Sequence, residues 1–145
     1  MLVRLEHANI CVHDIDGVVR FLQTAFPTFL IRRDTIEADG SRWVHIGCDE
    51  TYIALNSANP NTEKRGKPYK GRPGLNHVAF EVDDVALVRE RLSAAGFQNS
   101  TPPNVHPFRQ RVYFYDPEGN DWEFVQYLSD DREKRHDYEL PDKPA

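Results

Sequence analysis

Cysteine is scarce. The 145 residues carry two, Cys11 and Cys48, too few for a disulfide framework and in no paired metal or redox spacing. A reduced, cytoplasmic setting is the expectation. Long hydrophobic runs are missing as well. No stretch approaches a membrane span, and Met1-Leu2-Val3-Arg4-Leu5-Glu6-His7 has no apolar core of a secretory leader. Positive charge is in deficit: the net charge of −5 argues against nucleic acid as the main partner. What remains is ordinary globular material, 39% hydrophobic and 28% charged, long enough for one domain with a real core.

The pattern of that material is doubled. Residues 5–12 alternate as a strand, with Ala8, Ile10 and Val12 on one face and Leu5, His7, Asn9 and Cys11 on the other. Asp14 is placed to cap a helix, in which Ile15, Val18, Val19, Leu22 and Phe26 recur at helical spacing until Pro27 ends it. Three strands follow at roughly 28–36, 42–48 and 51–56. In the last two, Val44, Ile46, Ile53 and Leu55 face the core, while Trp43, His45, Tyr52, Ala54 and Asn56 face away. From Leu75 the pattern starts again at an offset of 70: Leu5/Leu75, His7/His77, Val12/Val82, Asp14/Asp84, Val18/Val88, Leu22/Leu92 and Ala25/Ala95 are identical. A helix over about 84–95 stops at Gly96, a weaker strand covers 97–101, and a hairpin completes the unit.

In that hairpin, Val112, Phe114, Trp122 and Phe124 take one face, and Arg111, Tyr113, Tyr115, Asp121 and Glu123 the other. Between the strands, Asp116-Pro117-Glu118-Gly119-Asn120 is a turn, with Pro presetting φ and Gly or Asn closing it. The fold class is therefore α+β, two tandem βαβββ modules in a single domain over 1–128: module one about 3–56, a linker at 57–74, and module two about 75–128. One helix covers only one face of each four-stranded sheet, so the other faces are expected to line a cleft, within a chain or across a dimer. Those faces hold His7, Asn9, His45, Tyr52, Asn56, His77, Glu81, Tyr113 and Glu123, far too polar a set for a dry core.

The linker is polar and rich in Pro and Gly, with a local charge of about +4. It reads either as a solvated connection or as a flap whose Lys64, Arg65, Lys67 or Arg72 meets an anionic substrate. Residues 129–145, with mixed charge and two prolines, read as a helical turn and then a loose tail, on which Tyr138 or Leu140 has the chance to dock.

These residues resemble the vicinal oxygen chelate superfamily of glyoxalase I, extradiol dioxygenases, fosfomycin-resistance enzymes and bleomycin-resistance proteins. The resemblance covers about residues 3–128. It rests on the doubled module, on a His in each first strand, and on Asp116-Pro117-Glu118-Gly119 followed by Glu123. It implies that His7, His77 and Glu123 bind one divalent metal ion. Two imidazoles and one carboxylate form a facial triad with open positions, a set suited to Fe(II) or Mn(II), with Ni, Co or Zn possible. At an offset of 69, Ile53-Ala54-Leu55 aligns with Trp122-Glu123-Phe124, so Ala54 stands where glyoxalase I enzymes usually carry a fourth ligand.

Three-ligand relatives are the extradiol dioxygenases and the fosfomycin enzymes. The spacing from His106 through Val112-Tyr113, Asp116-Pro117 and Gly119 to Glu123 is similar to the extradiol pattern. By that resemblance His106 and Tyr113 are catalytic groups beside the metal: His106, placed in a loop before Pro107, moves protons, and Tyr113 hydrogen-bonds a substrate oxygen. Extradiol enzymes carry a further His where this chain has Thr51-Tyr52, and His45 on the neighbouring strand is the substitute at hand. Asn9, His45, Tyr52, Asn56 and Arg111 are the candidate substrate-binding residues.

The expected function is thus a metal-dependent enzyme acting on a small molecule through vicinal oxygens, with extradiol-dioxygenase chemistry favoured. The alternatives are a glyoxalase-like lyase or isomerase, a fosfomycin-resistance-like transferase, and a non-catalytic binding protein of the bleomycin-resistance type. A homodimer is the expected assembly, with no nucleic-acid or membrane partner.

Overall fold

A computed structural model describes residues 3–64, 66–70 and 73–144. Two compact units divide the chain, 1–65 and 66–145, and their boundary falls inside the polar linker.

The first unit runs β1 (His7–Val12), α1 (Ile15–Ala25), β2 (Leu30–Ile36), β3 (Arg42–Gly47) and β4 (Tyr52–Ser57). Its sheet has the order β1-β4-β3-β2, with β1 parallel to β4 and the other pairs antiparallel. Asp14 caps α1 by accepting a 2.8 Å hydrogen bond from the Gly17 backbone N–H. The helix buries Ile15, Val18, Val19, Phe21, Leu22 and Ala25 over β4, against a sheet face that contributes Val12, Val44, Ile46, Ile53 and Leu55. This is the apolar set that the two periodicities single out.

The second unit repeats the order: β5 (His77–Glu81), α2 (Val85–Ala94), β6 (Asn99–His106), β7 (Arg109–Tyr115) and β8 (Asp121–Tyr127). Asp84 caps α2 through the Leu87 N–H at 2.9 Å, and Gly96, at φ +82°, turns the chain out of it. The helix packs on β7 and β8, over Val112, Phe114, Trp122 and Phe124, all of them buried. The α+β class and the doubled module are as the sequence predicts.

Two expectations need correcting. The tail is anchored, not loose: after α3 (Arg132–Arg135) it returns as β9 (Lys143–Pro144), antiparallel to β6, and makes a five-stranded sheet β5-β8-β7-β6-β9. Its anchors are main-chain and ion-pair contacts that leave no periodicity in the sequence. The Arg109 guanidinium donates to the Asp137 carbonyl at 2.7 Å and lies 5.1 Å from the Tyr138 ring. Arg135 donates to both Glu81 carboxylate oxygens, at 2.8 and 2.7 Å.

His106 is likewise no loop residue. It ends β6 opposite Arg109, and its side chain is fully enclosed, with Asp137 Oδ1 3.9 Å from its Nε2. The strand runs farther than predicted because Asn104, Val105 and His106 pair with β7 on one side, while the first two pair with β9 on the other.

Candidate metal centre

Register places the site residues. In the first unit His7 lies opposite Tyr52 and Asn9 opposite Ala54. In the second His77 lies opposite Asp121 and Ala79 opposite Glu123. The parallel pairs are thus in equivalent register, and Ala54 is the structural counterpart of Glu123.

In the second unit the His77 Nε2 and Glu123 Oε2 are 3.1 Å apart, on neighbouring strands and on the same sheet face. Glu123 is 8% exposed. Tyr113 lies opposite it on β7, and burial together with the Glu123 negative charge pushes the phenol well above its ordinary value. Tyr113 is therefore a neutral donor. Its ring meets His77 edge-on at 5.9 Å. Arg111 Nε stands 4.0 Å from Glu123 Oε1, donates to Asn104 Oδ1 at 3.3 Å, and its other end pairs with Asp142 of the tail. The surrounding face is thus a carboxylate, an imidazole, a phenol and a guanidinium brought to one place.

In the first unit the His7 ring stacks on Tyr52, with centroids 4.6 Å apart, and its Nδ1 lies 2.7 Å from Glu6 Oε2. That leaves Nε2 as its candidate donor atom. Tyr52 also meets the His45 ring at 4.8 Å and the Arg32 guanidinium at 4.5 Å. Burial above all, with His7 and Arg32 nearby, pulls the His45 imidazole below its ordinary value. His7, His45 and Tyr52 are gathered together, while Asn9 and Asn56 lie farther along the same strands, Asn56 opposite Trp43.

A metal-site fit can be tested on the closest pair. Two donors each about 2.1 Å from an octahedral ion and at right angles to one another stand about 3 Å apart. The 3.1 Å between His77 Nε2 and Glu123 Oε2 meets that condition, and imidazole with carboxylate is a donor set for a first-row divalent ion. Among the described residues, no three His, Cys, Asp or Glu side chains cluster as a ready metal site. Of the three predicted ligands, His77 and Glu123 are the two that the second unit pairs.

His106 is on the same sheet face as Arg109 and Arg111, under the tail rather than beside His77. Its Nδ1 accepts from the Phe108 N–H at 3.2 Å, and its Nε2 makes no hydrogen bond among the described residues. Lys64 and Lys67 are exposed, and Arg65 and Arg72 lie outside the described residues.

Sequence reasoning passed over three participants. Tyr69 lays its hydroxyl 2.7 Å from His77 Nδ1 and 3.1 Å from Asp121 Oδ2, and the other Asp121 oxygen accepts from Ser100 Oγ at 2.6 Å. Burial and the Asp121 charge push the Tyr69 phenol up to about 12. The signal for Asp121 is its register with His77, two residues before Glu123. The signal for Tyr69 is that it is the one aromatic residue in the basic linker.

Residues 4–124 match the family model described as Glyoxalase/Bleomycin resistance protein/Dioxygenase superfamily. No curated protein matches the chain. Among solved structures, a glyoxylase/bleomycin resistance protein/dioxygenase domain from Frankia sp. EAN1pec is 22% identical over 88% of this chain and 99% of its own, with a TM-score of 0.71. The fosfomycin resistance protein FosX from Listeria monocytogenes, complexed with Mn(II) and sulfate, is 22% identical over 93% and 98%, with a TM-score of 0.63. A mutant of that protein with Mn(II) and 1S,2S-dihydroxypropylphosphonic acid is 21% identical over 93% and 98%, with a TM-score of 0.70. At these identities the structural likeness concerns the fold. Among the described residues no helix is long and apolar enough to cross a membrane.

Proposed function

Because the chain belongs to the Glyoxalase/Bleomycin resistance protein/Dioxygenase superfamily, we propose that it is a metal-dependent enzyme whose small-molecule substrate chelates the ion through two neighbouring oxygens. The observation that carries this reading is the 3.1 Å approach of His77 Nε2 to Glu123 Oε2. His7, His77 and Glu123 would hold the ion, with Fe(II) or Mn(II) favoured by the ligand set. When bound, the ion would polarise the chelated oxygens and so withdraw charge from the reacting carbon. The rest belongs to this chain. Tyr113 offers a neutral hydroxyl as a donor on the Glu123 side of the site, and Arg111 offers a cation there. Tyr52 and His45, which lie beside His7 in the first unit, would line the site on the His7 side. The absence of a carboxylate at Ala54 favours three protein ligands over four.

Extradiol-type oxygenation remains the favoured chemistry from the His106–Glu123 spacing and Tyr113. The enclosure of His106 under the tail means that this chemistry requires either displacement of the tail or another proton carrier. A second reading, addition to an anionic substrate in the manner of a fosfomycin-resistance enzyme, is supported by Arg111 beside Glu123. The FosX neighbour holds Mn(II) and a vicinal-diol phosphonate, which is the ligand class Arg111 would suit. A cytoplasmic homodimer is part of the proposal. It is supported by the outer strand β2, where Leu30 and Ile36 are 67% and 70% exposed, and is measurable by sedimentation.

Calorimetric titration with Mn(II) or Fe(II) under argon tests the core of the reading. One ion per chain is expected, with binding abolished in Glu123→Ala and His77→Ala. The loaded protein is then given catechols with O2 uptake recorded, and fosfomycin without O2 with diol formation recorded. Uptake supports oxygenation, and diol formation supports addition. No bound ion, together with binding of an aromatic ligand that chelators leave unchanged, returns the chain to the non-catalytic binding class.

A further inference from the structure

We propose that Tyr69 is a positioning residue that fixes the His77 ring, holding its Nδ1–H so that Nε2 presents a lone pair toward Glu123 and a divalent ion. The inference rests on the metal reading above and extends it to a residue outside the ligand set.

Proton accounting leads there. Tyr69 Oη is 3.1 Å from Asp121 Oδ2 and 2.7 Å from His77 Nδ1. Asp121 is 2% exposed, and its Oδ1 already accepts from Ser100 Oγ at 2.6 Å. The Tyr69 hydroxyl donates to Asp121 Oδ2, so its single proton lies between Oη and Oδ2. Oη then has only lone pairs to offer the imidazole, and Nδ1 must carry the proton. The ring nitrogen left over is Nε2, the atom 3.1 Å from Glu123 Oε2. At that distance a positive charge is shared between the two groups, a second ring proton in the metal-free protein or a divalent ion that displaces it, and with Nδ1–H fixed by Tyr69 the ring offers Nε2 to either. Partners of this kind, set behind a ligating imidazole, fix its tautomer and raise its basicity.

The backbone indicates that this placement is specific. Tyr69 is the one described non-glycine residue with positive φ, +65°, a conformation that residues with a Cβ avoid. Its N–H donates to Asn76 Oδ1 at 2.9 Å, next to His77 in sequence. The linker is thus tied at both the main chain and the side chain of one residue, and the tie ends on the imidazole. The ring itself stays about half exposed, which means that burial of an aromatic surface is not what holds it.

Tyr69→Phe is the test, with Tyr138→Phe on the exposed tail as the matched control and Asp121→Asn as the second variant. Mn(II) affinity is measured by calorimetry, and the His77 Nδ1–H is followed by 15N-resolved NMR in metal-free and Zn(II)-loaded protein. The expected result is a slowly exchanging Nδ1–H in the wild type that exchanges rapidly with water in Tyr69→Phe. Affinity should fall about tenfold to a hundredfold in Tyr69→Phe and Asp121→Asn, at an unchanged denaturation midpoint for Tyr69→Phe. Tyr138→Phe should match the wild type. A Tyr69→Phe protein that binds Mn(II) as the wild type does, or keeps the protected Nδ1–H, overturns the role of Tyr69. A wild type that binds no divalent ion overturns the proposed function instead, and the metal role of Tyr69 with it.

Discussion

Four donors converge on the Asp116 carboxylate. The Glu118 N–H and the Asn120 N–H both reach Oδ1 at 2.9 Å, while Asn120 Nδ2 and Trp122 Nε1 reach Oδ2 at 2.8 and 3.0 Å. Burial pushes the carboxyl above the usual range, and these hydrogen bonds offset only part of that rise. The group therefore closes the turn ahead of β8 and sets where Glu123 emerges. Replacement by alanine leaves buried donors without an acceptor, which costs about 1–3 kcal/mol for each one that water fails to reach. Asp116→Ala is expected to lower stability by about 3 kcal/mol in urea unfolding, a large effect for one side chain. Glu123 differs from it in having an imidazole, a phenol and a guanidinium rather than main-chain donors around it. That contrast separates the structural carboxylate from the candidate ligand more sharply than burial does, since both are nearly enclosed.

At the scale of elements, the turn from β3 to β4 brings two main-chain segments into close approach. A Cβ on Gly47 would meet the Thr51 carbonyl oxygen at 2.2 Å and the Tyr52 Cα at 2.5 Å, both main-chain atoms that cannot swing aside. Gly47→Ala is expected to push β4 away at Tyr52, lowering the thermal midpoint and loosening the stack of Tyr52 on His7, which near-UV circular dichroism would report. Strand and helix positions were legible because burial imposes periods of 2 and 3.6 on Val, Ile, Leu and Phe, as in Val44-His45-Ile46 and along α1. The tail carries no such period. It is held by Arg109 on main-chain carbonyls, Arg135 on Glu81, and Arg111 on Asp142, contacts that a linear pattern cannot show. His106 was misplaced for the same reason. Removing residues 130–145 takes away the acceptors of Arg109 and the β9 pairing. Stability is expected to fall by about 2 kcal/mol, more than an exposed ion pair alone would account for. His106 should then react with diethyl pyrocarbonate, which the enclosed side chain of the full chain resists, and peptide mapping would score the modification.

Across the whole molecule, the two units share one register but not one set of donors. His7 and His77 occupy equivalent positions, yet the partner strands offer Tyr52 and Ala54 in one unit and Asp121 and Glu123 in the other. The sequence disclosed this asymmetry through the offsets of 70 and 69. It could not disclose the Tyr69 contact, because a linker residue has no counterpart in the repeat. A three-ligand ion needs more than the second unit supplies in His77 and Glu123, so the proposed centre makes a demand that a half-site would not. If His7 is the third ligand, His7→Ala and Glu123→Ala remove the same binding event. Each is expected to weaken Mn(II) by at least about a hundredfold, and the double variant should be scarcely worse than the weaker single one, the large coupling expected of residues acting on one ligand. If His77 and Glu123 bind the ion with water alone, His7→Ala leaves the affinity unchanged and the effects of the two substitutions simply add. Calorimetry on the four proteins of this cycle decides between one centre drawing on both units and a site that belongs to the second alone.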